Sequence, residues 1–188
     1  MVARKSKLEI PTIDVNLVTI QLGEDEFGFD TSNKISVSPN IETTDGVKLI
    51  IKGVLKAQKR EKKTLTGHTI TLTDNVFNPD LVVALQGGEI VYDREVSSKI
   101  TGYNPPAVGT ETTSETFTLN AYSAVYNAAG QITKYEKISY PNCIGEPVAF
   151  SSEDGAFRSN EYTITSSPDI GEKPYQLTYV DSLPELTE

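Results

Sequence analysis

The 188-residue chain holds one histidine, His68, and one cysteine, Cys143, which together could form a nucleophilic thiolate–imidazole pair. Such a pair needs hydrogen-bond reach and a third group to orient the base. Nothing local supplies that. His68 opens a predicted strand, "HTITLT", and Cys143 sits in "SYPNCIGEP", read as a loop with prolines on both sides. Zinc is disfavoured by the same shortage of ligands, and no cofactor is expected. Carboxylates gather in "GEDEFGFD" (Glu24, Asp25, Glu26, Asp30) and in "SSEDGAF" (Glu153, Asp154). Paired carboxylates serve glycoside hydrolysis, and regularly spaced ones hold calcium. These lack calcium-loop spacing and read as solvated turns. In "LQGGE" the glycines follow a helix, whereas a phosphate cradle places them before one. The expectation is a protein without catalytic residues.

The elements around these residues are mostly strands. In "VKLIIKGVLKA", residues 47–57, Val47, Leu49, Ile51, Leu55 and Ala57 alternate with Lys48, Lys52 and Lys56, which predicts one strand with an apolar face. Residues 68–73 set Ile70 and Leu72 inward against three threonines. Residues 117–126 alternate Phe117, Leu119, Ala121 and Val125 with Thr118, Asn120, Tyr122 and Tyr126. "EYTITSS" from 161 and "YQLTYVD" from 175 repeat the pattern, and turn signals end at Gly46, Gly130, Gly155 and Gly171. The predicted fold is mainly β: an antiparallel sandwich or barrel of two packed sheets with one short flanking helix over residues 78–86.

That helix is announced by several residues together. Asn78 can cap it, Pro79 suits its first position, and Asp80 complements the positive end of its dipole. Phe77 can staple onto Val82, and Gly87 fits the left-handed stop. Leu81, Val82 and Leu85 form the apolar stripe, so the helix reads as a structural brace against the sheet. The predicted layout is an N-terminal arm at 1–13, a single β domain at 14–180 and a C-terminal arm at 181–188. The arms read either as frayed ends or as segments that dock on a neighbour.

Charge is unevenly placed. Lys and Arg number 17 against 26 acids, a net −9, which argues against a grip on nucleic acid. One cysteine excludes an internal disulfide and fits a reducing compartment. No apolar run follows the basic N-terminus as in a secretory signal, and none is long enough to span a membrane. Residues 52–63 carry Lys52, Lys56, Lys59, Arg60, Lys62 and Lys63 against Glu61, a local +5. Residues 145–188 carry nine acids against Arg158 and Lys173, a local −7. The basic run is either a solvated hairpin tip or a contact for the acidic surface of another copy.

The run "LTGHTITLTDNVFNPDLVVALQGGE" resembles the strand–turn–helix signature of phage tail tube (major tail) proteins from bacteriophages and phage-like elements of Gram-positive bacteria. The similarity continues through "FTLNAYSAVYNAAGQITKYEKISYPNCIGEPVAFSSEDGAFRSNEYTITSSP" and "PYQLTYVDSLP", covering residues 47–184. It implies six copies closing into a ring, rings stacked into a hollow tube, and arms and a long loop bridging neighbouring rings. Double-stranded DNA would pass through the lumen without specific binding. Sheath, tape measure and baseplate proteins would be partners, and the protein would reside in the virion tail after assembly in the host bacterial cytoplasm. Within this reading Lys56, Lys59, Arg60, Lys62 and Lys63 are the expected inter-subunit contacts. The tube of a phage-derived bacteriocin or contractile injection system is a near alternative. A carbohydrate-binding β sandwich is an alternative of another class, weakened by the absence of tryptophan; a hydrolase built on Glu24, Asp25 and Glu26 is a third.

Overall fold

Alternating apolar and polar residues make strands because successive side chains leave opposite faces of an extended chain, and one face can then be buried. The computed structural model describes residues 10–96, 99–109 and 115–186. Its elements are β1 (Thr12–Leu22), β2 (Asp25–Phe29), β3 (Ser32–Thr44), β4 (Val47–Ile51), β5 (Val54–Lys59), β6 (Lys62–Asp74), α1 (Pro79–Gln86), β7 (Glu89–Tyr92), β8 (Ile100–Asn104), β9 (Phe117–Tyr126), β10 (Ile132–Gly145), β11 (Ala149–Ser151), β12 (Ser159–Ser166) and β13 (Gln176–Val180). The fold is mainly β and antiparallel, with one short helix.

Nine strands hydrogen-bond in the order β2-β1-β9-β10-β12-β6-β3, with β11 added to β12 and β13 to β10; β4–β5 and β7–β8 are separate pairs. The two ends of that path, β2 and β3, are joined by Asp30 and Thr31 alone. So short a link spans only about 10 Å, so the sheet has to fold back and lay its halves over each other. β10 is the corner. Its first half pairs with β9 and β13, while Cys143–Gly145 pair with β12. The ladder shifts between Tyr140 and Cys143, around Pro141, which has no N–H, and Asn142, whose φ is 47°. "SYPNCIGEP" is therefore a bent strand as far as Gly145, correcting the loop reading. Cys143 is buried there.

Between the layers Val18, Ile20, Phe117 and Leu119 meet Ile70, Leu72, Tyr162 and Ile164. β9 departs from its alternation, since Asn120 and Tyr122 are buried as well. Asn120 Nδ2 donates to Thr19 Oγ1 at 3.0 Å, and Thr19 Oγ1 donates to Glu26 Oε1 at 2.6 Å. Those bonds let polar side chains sit on a covered face.

Helix α1 lies against the corner strand. Asn78 Oδ1 accepts from the Leu81 N–H at 3.2 Å, Pro79 begins the helix, and Gly87 follows it at φ 76°. Leu81, Val82 and Leu85 are wholly buried, which a helix of eight residues needs because it is marginal by itself. Gly145 lets it approach: a Cβ there would stand 2.5 Å from the Leu85 Cα and carbonyl oxygen. Phe77, at the helix entrance, lies 6.1 Å from the Phe150 ring, and the Arg158 guanidinium lies over Phe150 at 3.9 Å.

Register also sorts the loops by end. β6 runs from Lys62 to Asp74, and β12 runs back from Asn160, opposite Asp74, to Ser166, opposite His68. The 152–158 loop, the Asp30–Thr31 link and the turn into α1 therefore share one end, called here the far end. The 167–175 loop lies at the other, with the extension of β3 and β6. Residues Glu185 and Leu186 border a hollow at the far end with Gly28, Asn78 and Asp80, and Leu186 fills the space beside Gly28. Most of the expected N-terminal arm, and residues 187–188 of the C-terminal one, fall outside the described residues. Thr12 and Ile13 already pair with Val125 and Ala124.

Candidate assembly surface

β3 and β6 stay paired out to Thr44 and Lys62, well past the end of the core. After a break at Asp45–Gly46 and Arg60–Glu61, β4 and β5 continue the ribbon. Every residue from Ile41 to Thr66 is exposed, so this is a projecting two-stranded arm. It corrects the single half-buried strand expected at 47–57. The chain reverses at Lys52 (φ 49°) and Gly53 (φ 77°), the two positive φ values that a two-residue hairpin turn requires. Val47, Leu49, Ile50, Ile51, Val54 and Leu55 are between 48% and 64% exposed. An isolated two-stranded ribbon has too little burial to be stable, and clustered exposed apolar side chains mark a contact surface.

The cations of the arm are spread along it. Lys52 is at the turn and Lys56 lies in β5; Lys59 pairs with Val47, and Arg60, Lys62 and Lys63 flank the bend. Among the described residues the one ion pair is Lys99 with Asp93, at 3.7 Å. The acids Glu146, Glu153, Asp154, Glu161, Asp169, Glu172, Asp181 and Glu185 are all exposed. Glu153, Asp154 and Glu185 lie at the far end, opposite the arm, with Asp30 and Asp80. A copy shifted along the strand axis would thus present basic ribbon to acidic surface.

The residues that could do chemistry are kept apart. Cys143 stands opposite Ser166, and Ser166 opposite His68, so two strand spacings, about 10 Å, separate thiol and imidazole. Cys143 Sγ donates to the Tyr140 carbonyl at 3.2 Å, and burial pushes the thiol up to about 11. His68 lies edge-on to Tyr140 and Tyr175, each 5.6 Å away, and burial lowers its pKa. Glu24, Asp25 and Glu26 are exposed, and no group of three or more His, Cys, Asp or Glu among the described residues could hold a metal ion. No helix there is long and apolar enough to cross a membrane.

Some structural contacts had no signal in the sequence. Gln86 Oε1 accepts from the Val148 N–H at 2.8 Å, and its Nε2 donates to Tyr103 Oη at 2.8 Å. Tyr103 in turn donates to the Gly87 carbonyl at 2.5 Å, so the end of α1 is tied to β8. These are pairs distant in sequence, which no local pattern announces.

No protein-family model matches the chain, and no curated protein matches it in sequence. Similar solved structures include a chain of the sheath–tube complex of an extracellular contractile injection system, PVC, in the extended state. The identity is 14%, over 93% of this chain and 94% of that one, with a TM-score of 0.43. Another is a chain of the six-fold symmetrised baseplate of the anti-feeding prophage (AFP). There the identity is 10%, over 91% of this chain and 97% of that one, with a TM-score of 0.39.

Proposed function

We propose that this chain is a non-enzymatic structural subunit that polymerises with copies of itself, in rings of six stacked into a tail tube through which DNA leaves the virion. The observation that carries this reading is the arm, a ribbon of 26 residues, Ile41 to Thr66, exposed throughout and studded with apolar side chains. Such a ribbon gains its burial from a neighbour. Two further features support it. β2 and β3 end the sheet path with open edges, which lateral pairing between copies closes. Cations on the arm and acids at the opposite end suit a head-to-tail contact, in which each copy uses two different surfaces and growth is directional.

In this reading Lys56, Lys59, Arg60, Lys62 and Lys63 meet acids of the next ring, while α1 keeps the corner of the sheet rigid. Exposed acids facing the lumen would repel phosphate within a Debye length, about 8 Å at physiological salt. The same shape serves a bacteriocin or contractile injection tube, and sequencing the DNA around the gene for capsid and packaging functions separates the two. Negative-stain microscopy of the purified protein across concentration and salt tests the proposal. Rings or tubes support it; compact monomers under every condition overturn it.

A further inference from the structure

The tip of the arm is apolar on both of its faces. Ile51 stands opposite Val54 across the turn, and Ile50 stands opposite Leu55. Successive residues of a strand leave opposite faces, and residues paired across strands share one, so the two pairs lie on opposite sides of the ribbon. The sides are equally open: Ile51 and Val54 are 48% and 54% exposed, Ile50 and Leu55 60% and 49%. The register shift between Leu49 and Ile50 leaves Lys56 with no residue opposite it, and from there toward the core the sides differ. On the Ile51 side the apolar stripe continues through Leu49, opposite Ala57, to Val47, opposite Lys59. On the Ile50 side the next pair is Lys48 with Gln58, so the apolar patch stops after two residues. A ribbon laid flat on one surface would use the long stripe and leave Ile50 and Leu55 in water.

We infer, building on the self-assembly proposed above, that each arm tip is clamped between two copies of the chain at once, in the seam between neighbours of the next ring. A seam has two walls, as two apolar sides require; the surface of one subunit supplies one. Stoichiometry agrees, because a closed ring has as many seams as copies and each copy of the adjoining ring brings one arm. Charge points to the same occupant. Residues 47–59 carry Lys48, Lys52, Lys56 and Lys59 and no acid, +4 within a net −9, which leaves −13 on the rest of the chain. Lys48 shares the side of Ile50, and Lys59 that of Ile51, so each wall meets a cation. Both walls are then the same acidic protein. Clamped this way, an arm joins two layers and also holds two neighbours of one layer together, so stacking reinforces ring closure.

Two double variants separate the sides: Ile51→Thr with Val54→Thr, and Ile50→Thr with Leu55→Thr. Threonine suits a strand, so the ribbon keeps its own pairing in both. Each variant is expected to raise the concentration at which polymer first sediments about tenfold. Growth of the Ile50/Leu55 variant at the unaltered concentration would overturn the clamp and leave self-assembly standing. No polymer from the unaltered protein would instead overturn the assembly reading, and the clamp with it. Crosslinking gives a second measurement. A labelled chain with photo-leucine in place of Ile50 and Ile51 is assembled at a trace ratio into unaltered protein and irradiated. A labelled species of three chains is expected; labelled species of two chains at most would overturn the inference.

Discussion

Replacing Ile50, Ile51, Val54 and Leu55 by Thr removes apolar surface from the arm while keeping β-branched or strand-compatible side chains. In the free subunit these residues are 60%, 48%, 54% and 49% exposed. Covering one such side chain fully is worth about 1.5–3 kcal/mol, so finishing a half-completed burial contributes roughly 0.8 kcal/mol at the low end. Four together give about 3 kcal/mol, and tenfold per 1.4 kcal/mol makes that about a hundredfold in the concentration needed for growth. Ordering costs reduce the figure, and the loss of a cooperative contact raises it. Stability of the isolated subunit should change little, because none of the four touches the core between the layers. Sedimentation gives the concentration at which polymer first forms, and urea unfolding gives subunit stability. Assembly at the unaltered concentration by a fully folded variant would refute the reasoning. An unfolded variant would refute it too, by showing the arm to be part of the core.

Further outcomes follow from other parts of the molecule. Reversing Lys59, Arg60, Lys62 and Lys63 to Glu should leave a folded subunit that polymerises poorly in sedimentation assays; normal tube growth would reduce these residues to a role in solubility. Gly145→Ala drives a methyl group into the backbone of α1 at Leu85 and should destabilise by about 1–3 kcal/mol in urea unfolding. His68 has a folded pKa below its unfolded value of about 6.5, because burial disfavours the charged ring. The unfolded chain therefore binds the extra proton, and stability, full above about pH 6.5, should fall as pH drops below it. His68→Gln should flatten that part of the pH–stability curve. Cys143, buried and pushed up to about 11, should resist thiol reagents in the native state and react on unfolding; rapid labelling of the folded protein would contradict this.

How much of this was legible in sequence depended on how local each cause is. The helix was fully signalled, because capping by Asn78, the start at Pro79 and the stop at Gly87 act within one or two turns of chain. The core half of β6 is equally plain in "HTITLT", but its extension back to Lys62 is not. The arm escapes a local reading because its apolar alternation runs through the reversal. Val47, Leu49 and Ile51 are followed by Leu55 and Ala57 in step, and Lys52 stands where a hairpin turn more often shows Asn or Asp. The corner in β10 was hidden by Pro141, which signals a loop but here marks a strand changing layers. The bond that lets Asn120 be buried comes from Thr19, about a hundred residues away, and the seat of α1 on Gly145 lies 60 residues beyond Leu85. Alternation says which faces differ; it does not say which face, or whether both, will be covered.

Cryo-electron microscopy of the concentrated protein tests self-assembly most directly. The account predicts closed rings stacked with one polarity, the ribbon from Ile41 to Thr66 seated on the adjacent layer near its Glu153–Asp154 loop. A lone subunit with that ribbon folded against its own sheet, or copies meeting only in two-fold pairs, would contradict it.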